Sequence, residues 1–222
     1  MLARVFSVRR GFVAGEEVRS TLALLLLAYW SLPALAGEIP DRPELVRPLL
    51  IGTQIPADVP LLTTEGKPTT LQHEMGERPA VLVFFRGGWC PYCDLQLSEL
   101  RLIEKDLQAL GYQVIAISPD PPRALQARID KKSLQYLLLS DASTEMIQAF
   151  GIAFKASAAT ARLQPTLGAA GAKPSQLLTV PAVYIVNARG KVQFHYVNPD
   201  YRVRTPQELL LVAAKVSLAD AK

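Results

Sequence analysis

The sequence predicts an α/β fold: a mixed central sheet flanked by helices, with a β-hairpin extension at its N-terminal end. Three observations carry this. From about residue 80 to 150, apolar runs of strand length alternate with segments of helical period, the signature of a parallel-cored sheet with right-handed crossovers. Asn187-Ala-Arg-Gly190 lies between two strand-like runs and closes an antiparallel hairpin. Glu65-Gly66 separates residues 58–63 from 67–71 and makes an earlier strand–turn–strand.

In chain order, the first 36 residues stand apart from this domain. Arg4, Arg9, Arg10 and Arg19 precede the apolar run from Leu22 to Trp30, and Ala34-Leu35-Ala36 supplies small residues at a cleavage position. That order of basic, apolar and small-residue regions predicts a secretory signal peptide over residues 1–36, and hence export, to the periplasm if the source is bacterial. The run is short for a span and Pro33 ends it, so no stable membrane insertion is expected after cleavage. Residues 37–50, rich in proline, read as an extended lead-in, and residues 51–218 as one redox domain. Half of the chain is hydrophobic and a fifth charged, as expected for a globular domain with a full core. The net charge of +4 is halved once the four leader arginines, Glu16 and Glu17 are set aside. Such a balance gives no reason to expect a nucleic-acid partner.

Within the domain, residues 80–85 read as the central buried strand. Leu97, Leu100, Ile103, Leu107 and Leu110 recur at helical spacing, so residues 91–110 read as a helix with one buried face. Gly111 stops it and residues 112–118 form a second strand. A helix over 123–132, a strand over 136–139 and a short helix over 143–150 follow. Residues 152–176, rich in Ala, Gly, Ser and Thr, break the rhythm and read as a solvated insertion with some helix around 156–163; the alternative is a flap over the cysteines. Residues 179–187 read as a strand with Pro181 near its start. Thr205-Pro-Gln-Glu208 has the form of a capping box that opens a last helix.

The chain has two cysteines, both in Trp89-Cys-Pro-Tyr-Cys93. The pair follows two glycines at the end of the central strand and opens the long helix. Pro91 fits the first helical position, where its missing N–H costs nothing. Cys90 is then the cap-side residue, where unpaired N–H groups and the helix dipole favour thiolate and lower its pKa. Cys93, one turn in, is close enough to form a disulfide and is the more shielded. Cys90 is the expected nucleophile and Cys93 the expected resolving thiol. Gly87 and Gly88 leave room for another backbone to approach. A structural bridge would close only a very short loop. A metal site would draw on His73 and His195, neither at ligand spacing, so no metal and no cofactor are expected. In an oxidising compartment a working dithiol also requires a thiol electron donor.

Trp89-Cys-Pro-Tyr-Cys93 after a buried strand, with Thr179-Val-Pro181 opening a later one, resembles the thioredoxin fold. Ile51-Gly-Thr-Gln-Ile-Pro56, Leu139-Ser-Asp141 and Asn187-Ala-Arg-Gly-Lys191 resemble the alkyl hydroperoxide reductase/thiol-specific antioxidant (AhpC/TSA) branch of that fold. Phe85-Arg-Gly-Gly-Trp-Cys-Pro-Tyr-Cys93 and Asn198-Pro-Asp-Tyr-Arg202 resemble its peroxiredoxin-like proteins. The resemblance implies a cis Val180–Pro181 bond facing the cysteines, with the Val180 backbone free to hold an extended substrate. It also exposes two departures. Phe84 stands where thioredoxins carry a buried aspartate, leaving Asp94 and Glu99 as proton acceptors for Cys93 by proximity alone. An ungapped peroxiredoxin alignment places the peroxidatic cysteine at Cys93, the motif proline at Arg86, the motif threonine at Cys90 and the thiolate-stabilising arginine at Pro181.

The expectation is therefore an exported thiol oxidoreductase that cycles Cys90 and Cys93 between dithiol and disulfide, with Pro181 as the third catalytic residue. Trp89, Pro91, Tyr92, Arg86 and Val180 support the site. The preferred substrate is a hydroperoxide, reduced at the expense of a thioredoxin-like or membrane reductase. Reduction of protein disulfides is the alternative, followed by a non-catalytic redox-sensing module. Copper delivery fits the cysteine spacing and isolated histidines poorly.

Overall fold

The computed structural model describes residues 38–132, 134–161 and 176–219. The proposed leader and residues 162–175 of the insertion lie outside them. The compact unit begins at Ile39. Its first element is a 3-10 turn at Pro43–Leu45, and a hairpin follows from β1 (Pro60–Leu62) and β2 (Pro68–Thr70). Helix α1 (Leu71–Met75) was not foreseen: the expected strand stops at Thr70, whose hydroxyl accepts from the His73 N–H at 3.1 Å and caps the turn.

The site-bearing core comprises β3 (Ala80–Phe84), α2 (Pro91–Ala109), β4 (Gln113–Ser118), α3 (Pro122–Lys132) and β5 (Leu137–Ser140). β3 and β4 run parallel, as do β4 and β5. After α4 (Glu145–Ala149), β6 (Ala153–Lys155) pairs antiparallel with β7 (Leu177–Thr179), so the insertion leaves and re-enters the domain through a two-stranded ribbon. α5 (Ala158–Ala161) falls where some helix was expected. β8 (Ala182–Val186) and β9 (Val192–Val197) form the C-terminal hairpin, and α6 (Gln207–Ala219) closes the described chain. The main sheet has the order β2-β1-β5-β4-β3-β8-β9, with the N-terminal hairpin extending one edge. Among the described residues no helix is long and apolar enough to cross a membrane.

All five residues of β3 are buried, and their alternation divides the core. Val81, Val83 and Phe85 join Cys90, Cys93, Leu97, Leu100, Leu107 and residues of α6 on one face. Ala80, Leu82 and Phe84 join Phe150, Tyr184, Met146 and Ile147 on the other. Ile152 and Ala153, at the root of the insertion, belong to this second cluster. The described base of the insertion thus packs on the face away from the cysteines.

Three local expectations fail. The strand expected over 179–187 is interrupted, β7 ending at Thr179 and β8 starting at Ala182. The Val180–Pro181 bond between them is trans. The capping box does not form either: Thr205 Oγ1 is buried without a hydrogen-bond partner, and helical bonding starts from the Pro206 carbonyl to the Leu210 N–H at 3.1 Å.

Candidate active site

Cys90 caps α2 in extended conformation and Pro91 takes the first helical position, as the sequence requires. The Cys93 and Asp94 N–H groups both donate to the Cys90 carbonyl, at 3.0 and 3.2 Å. The two thiols therefore share one helical turn. Neither is open to solvent, and Cys93 lies farther from the surface than Cys90. They also differ electrostatically. The Cys93 thiol hydrogen-bonds to Cys90 and, against the cost of burial, holds it well below the ordinary thiol pKa; the Cys93 N–H, Arg204 and Arg86 act in the same direction. Cys93 gives that hydrogen bond and lies deeper, so it is pushed well above the ordinary range. The pair is thus biased toward a thiolate on Cys90 and a thiol on Cys93.

Arg204 is the residue that the sequence reading did not single out. Its Nη2 lies 3.4 Å from Cys93 Sγ and 3.9 Å from Cys90 Sγ. Its Nη1 donates to Gln96 Oε1 at 2.9 Å, which fixes the guanidinium against α2. Gln96 itself is buried, three residues beyond Cys93. The alignment that put proline where peroxiredoxins have their arginine thus left the charge unaccounted for. Here it comes from the segment after β9. In the same segment Arg202 pairs with Asp200 at 2.8 Å, while Arg204 turns to Gln96 and the thiols.

Arg86 is buried, with its guanidinium 5.0 Å from the Trp89 ring centroid and 4.3 Å from that of Tyr201. Tyr201 in turn meets Tyr92 edge-on at 5.7 Å. Trp89, Arg86, Tyr92 and Tyr201 so form a continuous set beside the thiols, with the two tyrosines partly exposed.

Pro181 and Val180 do not play the parts expected of them. Pro181 shares a small cavity with Gln96, Arg204 and Thr205, and so borders the arginine. The Val180 N–H donates to the Ile152 carbonyl at 2.8 Å, and its carbonyl accepts from Thr179 Oγ1 at 3.0 Å. Both backbone groups are thus occupied within the fold, and Val180 is fully buried. The N–H cannot pair with an extended peptide without breaking its bond to Ile152, and burial withholds the carbonyl from an incoming chain. The proton acceptors named by proximity fare no better. Asp94 pairs with Arg128, and Glu99 lines a cavity with Gln96 and Thr205 without bonding to Cys93. Phe84 faces the second cluster, 4.6 Å from Phe150 between ring centroids. Among the described residues no three His, Cys, Asp or Glu side chains are grouped to hold a metal.

A fold with two helix-borne thiols beneath an arginine can be compared with known proteins. The family model described as the AhpC/TSA family matches residues 51–195. The chain belongs to the AhpC/TSA family. Its members with related sequences include a putative peroxiredoxin, bcp, of Haemophilus influenzae, 35% identical over 107 residues, or 48% of this chain and 68% of that protein. Peroxiredoxin Bcp of Escherichia coli is 30% identical over 88 residues, 40% of this chain and 56% of that one. In structure, peroxiredoxin Q of Xanthomonas campestris superposes with a TM-score of 0.59 over 78% of this chain and 99% of that chain, at 18% identity, which speaks for the fold. This AhpC/TSA protein is accordingly peroxiredoxin-like, with a thioredoxin-type α/β core.

Proposed function

We propose that the protein is a thiol peroxidase in which Cys90 attacks and Cys93 resolves. The observation that carries this reading is the opposite displacement of two thiols in one helical turn beneath Arg204. Cys90 thiolate attacks the terminal oxygen of a hydroperoxide. The O–O bond breaks, Cys90 becomes a sulfenic acid, and the leaving alkoxide takes a proton to depart as alcohol or water. The Cys93 thiol then attacks the sulfenic sulfur, forming the Cys90–Cys93 disulfide and releasing water. An external dithiol returns the two electrons. Arg204 and Arg86 supply the positive charge that developing oxyanions need in a site closed to bulk water.

A second reading exchanges the two cysteines. Arg204 lies nearer to Cys93 than to Cys90, and the family alignment puts the attacking position at Cys93. Stopped-flow fluorescence of Trp89 in the reduced protein, mixed with hydrogen peroxide and with an organic hydroperoxide, tests both. Rapid oxidation retained in Cys93→Ser and lost in Cys90→Ser supports the first reading; the reverse supports the second. Oxidation no faster than that of a free thiol would end both. Export is a further proposal, resting on residues 1–36, and N-terminal sequencing of protein recovered from its host would reveal cleavage after Ala36.

A further inference from the structure

The Gly87-Gly88 turn before Cys90 was expected to admit a backbone. It is instead gripped by side chains from two other elements. The Gly88 N–H donates to Asp120 Oδ2 at 2.6 Å. The Gly88 carbonyl accepts from Arg128 Nη2, and Arg128 Nη1 pairs with Asp94 in the first turn of α2. One residue, two positions before Cys90, is thus held at both its N–H and its carbonyl. Its anchors are themselves fixed. The Asp120 N–H donates to Ser118 Oγ at 3.1 Å, and its carbonyl accepts from Ser140 Oγ at 2.7 Å, tying it to the ends of β4 and β5. Arg128 sits on α3, with only 15% of its side chain exposed. A Cβ on Gly88 would overlap the Arg128 guanidinium, and one on Gly87 would come within 2.7 Å of Asp120 Oδ1. The glycines therefore serve the clamp.

Two carboxylates and a guanidinium held partly out of water cost desolvation that a plain loop contact avoids. What the arrangement gains is position. Cys90 is joined to this turn by its N–H, which donates to the Gly87 carbonyl at 3.2 Å. Arg128 bridges the turn to α2 itself. The Cys90 thiolate is stabilised chiefly by hydrogen bonds from Cys93, and those require Cys90 to stay at the helix cap. We propose that Asp120 and Arg128 are positioning residues of the dithiol, which clamp the Gly88 peptide and hold Cys90 where Cys93 and Arg204 stabilise its thiolate. The inference rests on Cys90 as the attacking thiol, but its test needs no peroxide.

The experiment is iodoacetamide alkylation of the reduced full chain across pH, with modification at Cys90 read by peptide mass and folding by thermal melts. D120A and R128M are expected to move the alkylation profile upward by about one pH unit, so that the rate at acid pH falls about tenfold, while the alkaline plateau is unchanged. R128K keeps the charge but loses the two-way fork, and is expected to shift as R128M does. If D120A fails to fold, D120N keeps the shape with a weaker acceptor and carries the test with a shift of the same sign. Profiles that stay in place, whatever the melting temperature, overturn the proposal, as does an R128K profile equal to the unmodified protein, since charge alone would then suffice. Failure of the peroxidase reading would appear separately, as slow oxidation by hydroperoxide in the unmodified protein.

Discussion

The two faces of β3 put one strand to opposite uses. On one, Val81, Val83 and Phe85 lead to two thiols, and beside these stand two guanidinium groups whose Nε atoms have no partner. On the other, Ala80, Leu82 and Phe84 lead to stacked and edge-on rings, Phe84 with Phe150 and Tyr184, and Tyr184 with His195. The reactive face carries incompletely satisfied charge; the opposite face is an aliphatic core around the rings of Phe84, Phe150 and Tyr184. Because strand side chains alternate, a single residue separates the two roles. A carboxylate at the position of Phe84 would point into the aromatic face. Charge for the thiols has to come from elsewhere, and it comes from Arg86 at the strand's end and Arg204 after β9.

This contrast can be broken from either side. The largest effect is expected for Cys90→Ser, which should lower peroxide consumption by at least about 10³-fold, as loss of a nucleophile does, with the fold intact by circular dichroism. Arg204→Met should slow oxidation of Cys90 by roughly 10²-fold, the scale of losing one charge-stabilising donor. Its pH profile should move as well. Cys90 is displaced below the ordinary thiol, so the reduced protein should react at a constant rate through neutral pH and slow only in acid, as the thiolate is protonated. Removal of Arg204 should shift that acid limb upward, which thiolate absorbance and peroxide kinetics can both follow. On the aromatic face, Phe84→Ala should cost about 3–5 kcal/mol in denaturant unfolding, while the thiolate titration of the folded protein stays in place. The smallest effect is expected for Tyr201→Ala, which removes one ring from Arg86 and should change the oxidation rate by only about threefold, in line with a partly exposed cation–π contact. A Phe84 variant that moved the thiol titration, or a Tyr201 variant as damaging as Arg204→Met, would break the division between the faces.

The sequence made the strand–helix alternation legible, because apolar period and glycine or proline stops are local signals. Cys90, Pro91 and Cys93 were readable for the same reason, as were Arg86 and Trp89 beside them. What escaped depends on contacts across the chain. Arg204 reaches the cysteines from 111 and 114 residues away. Asp120 and Arg128 converge on Gly88 from the end of β4 and from α3. Pro181 stands beside Arg204 through tertiary packing, and the Val180 backbone is committed to Ile152 and Thr179, neither of which a local motif reports. The capping box at Thr205 matched a motif, but its hydroxyl makes no cap bond in the fold.

The confinement of both sulfurs to one turn has a consequence for survival under oxidative load. In the proposed cycle a sulfenic acid on Cys90 faces two fates: ring closure by Cys93, or a second peroxide molecule that carries it irreversibly to sulfinic acid. Where a resolving cysteine lies on a distant segment, helix unwinding precedes closure and leaves the second fate time to compete. Here the partner already donates to Cys90 from within the same turn of α2. Closure is a unimolecular step at fixed distance, whereas hyperoxidation scales with peroxide concentration. The peroxide concentration at which the protein is lost is therefore set by the ratio of the rate of ring closure to the rate constant for the second oxidation.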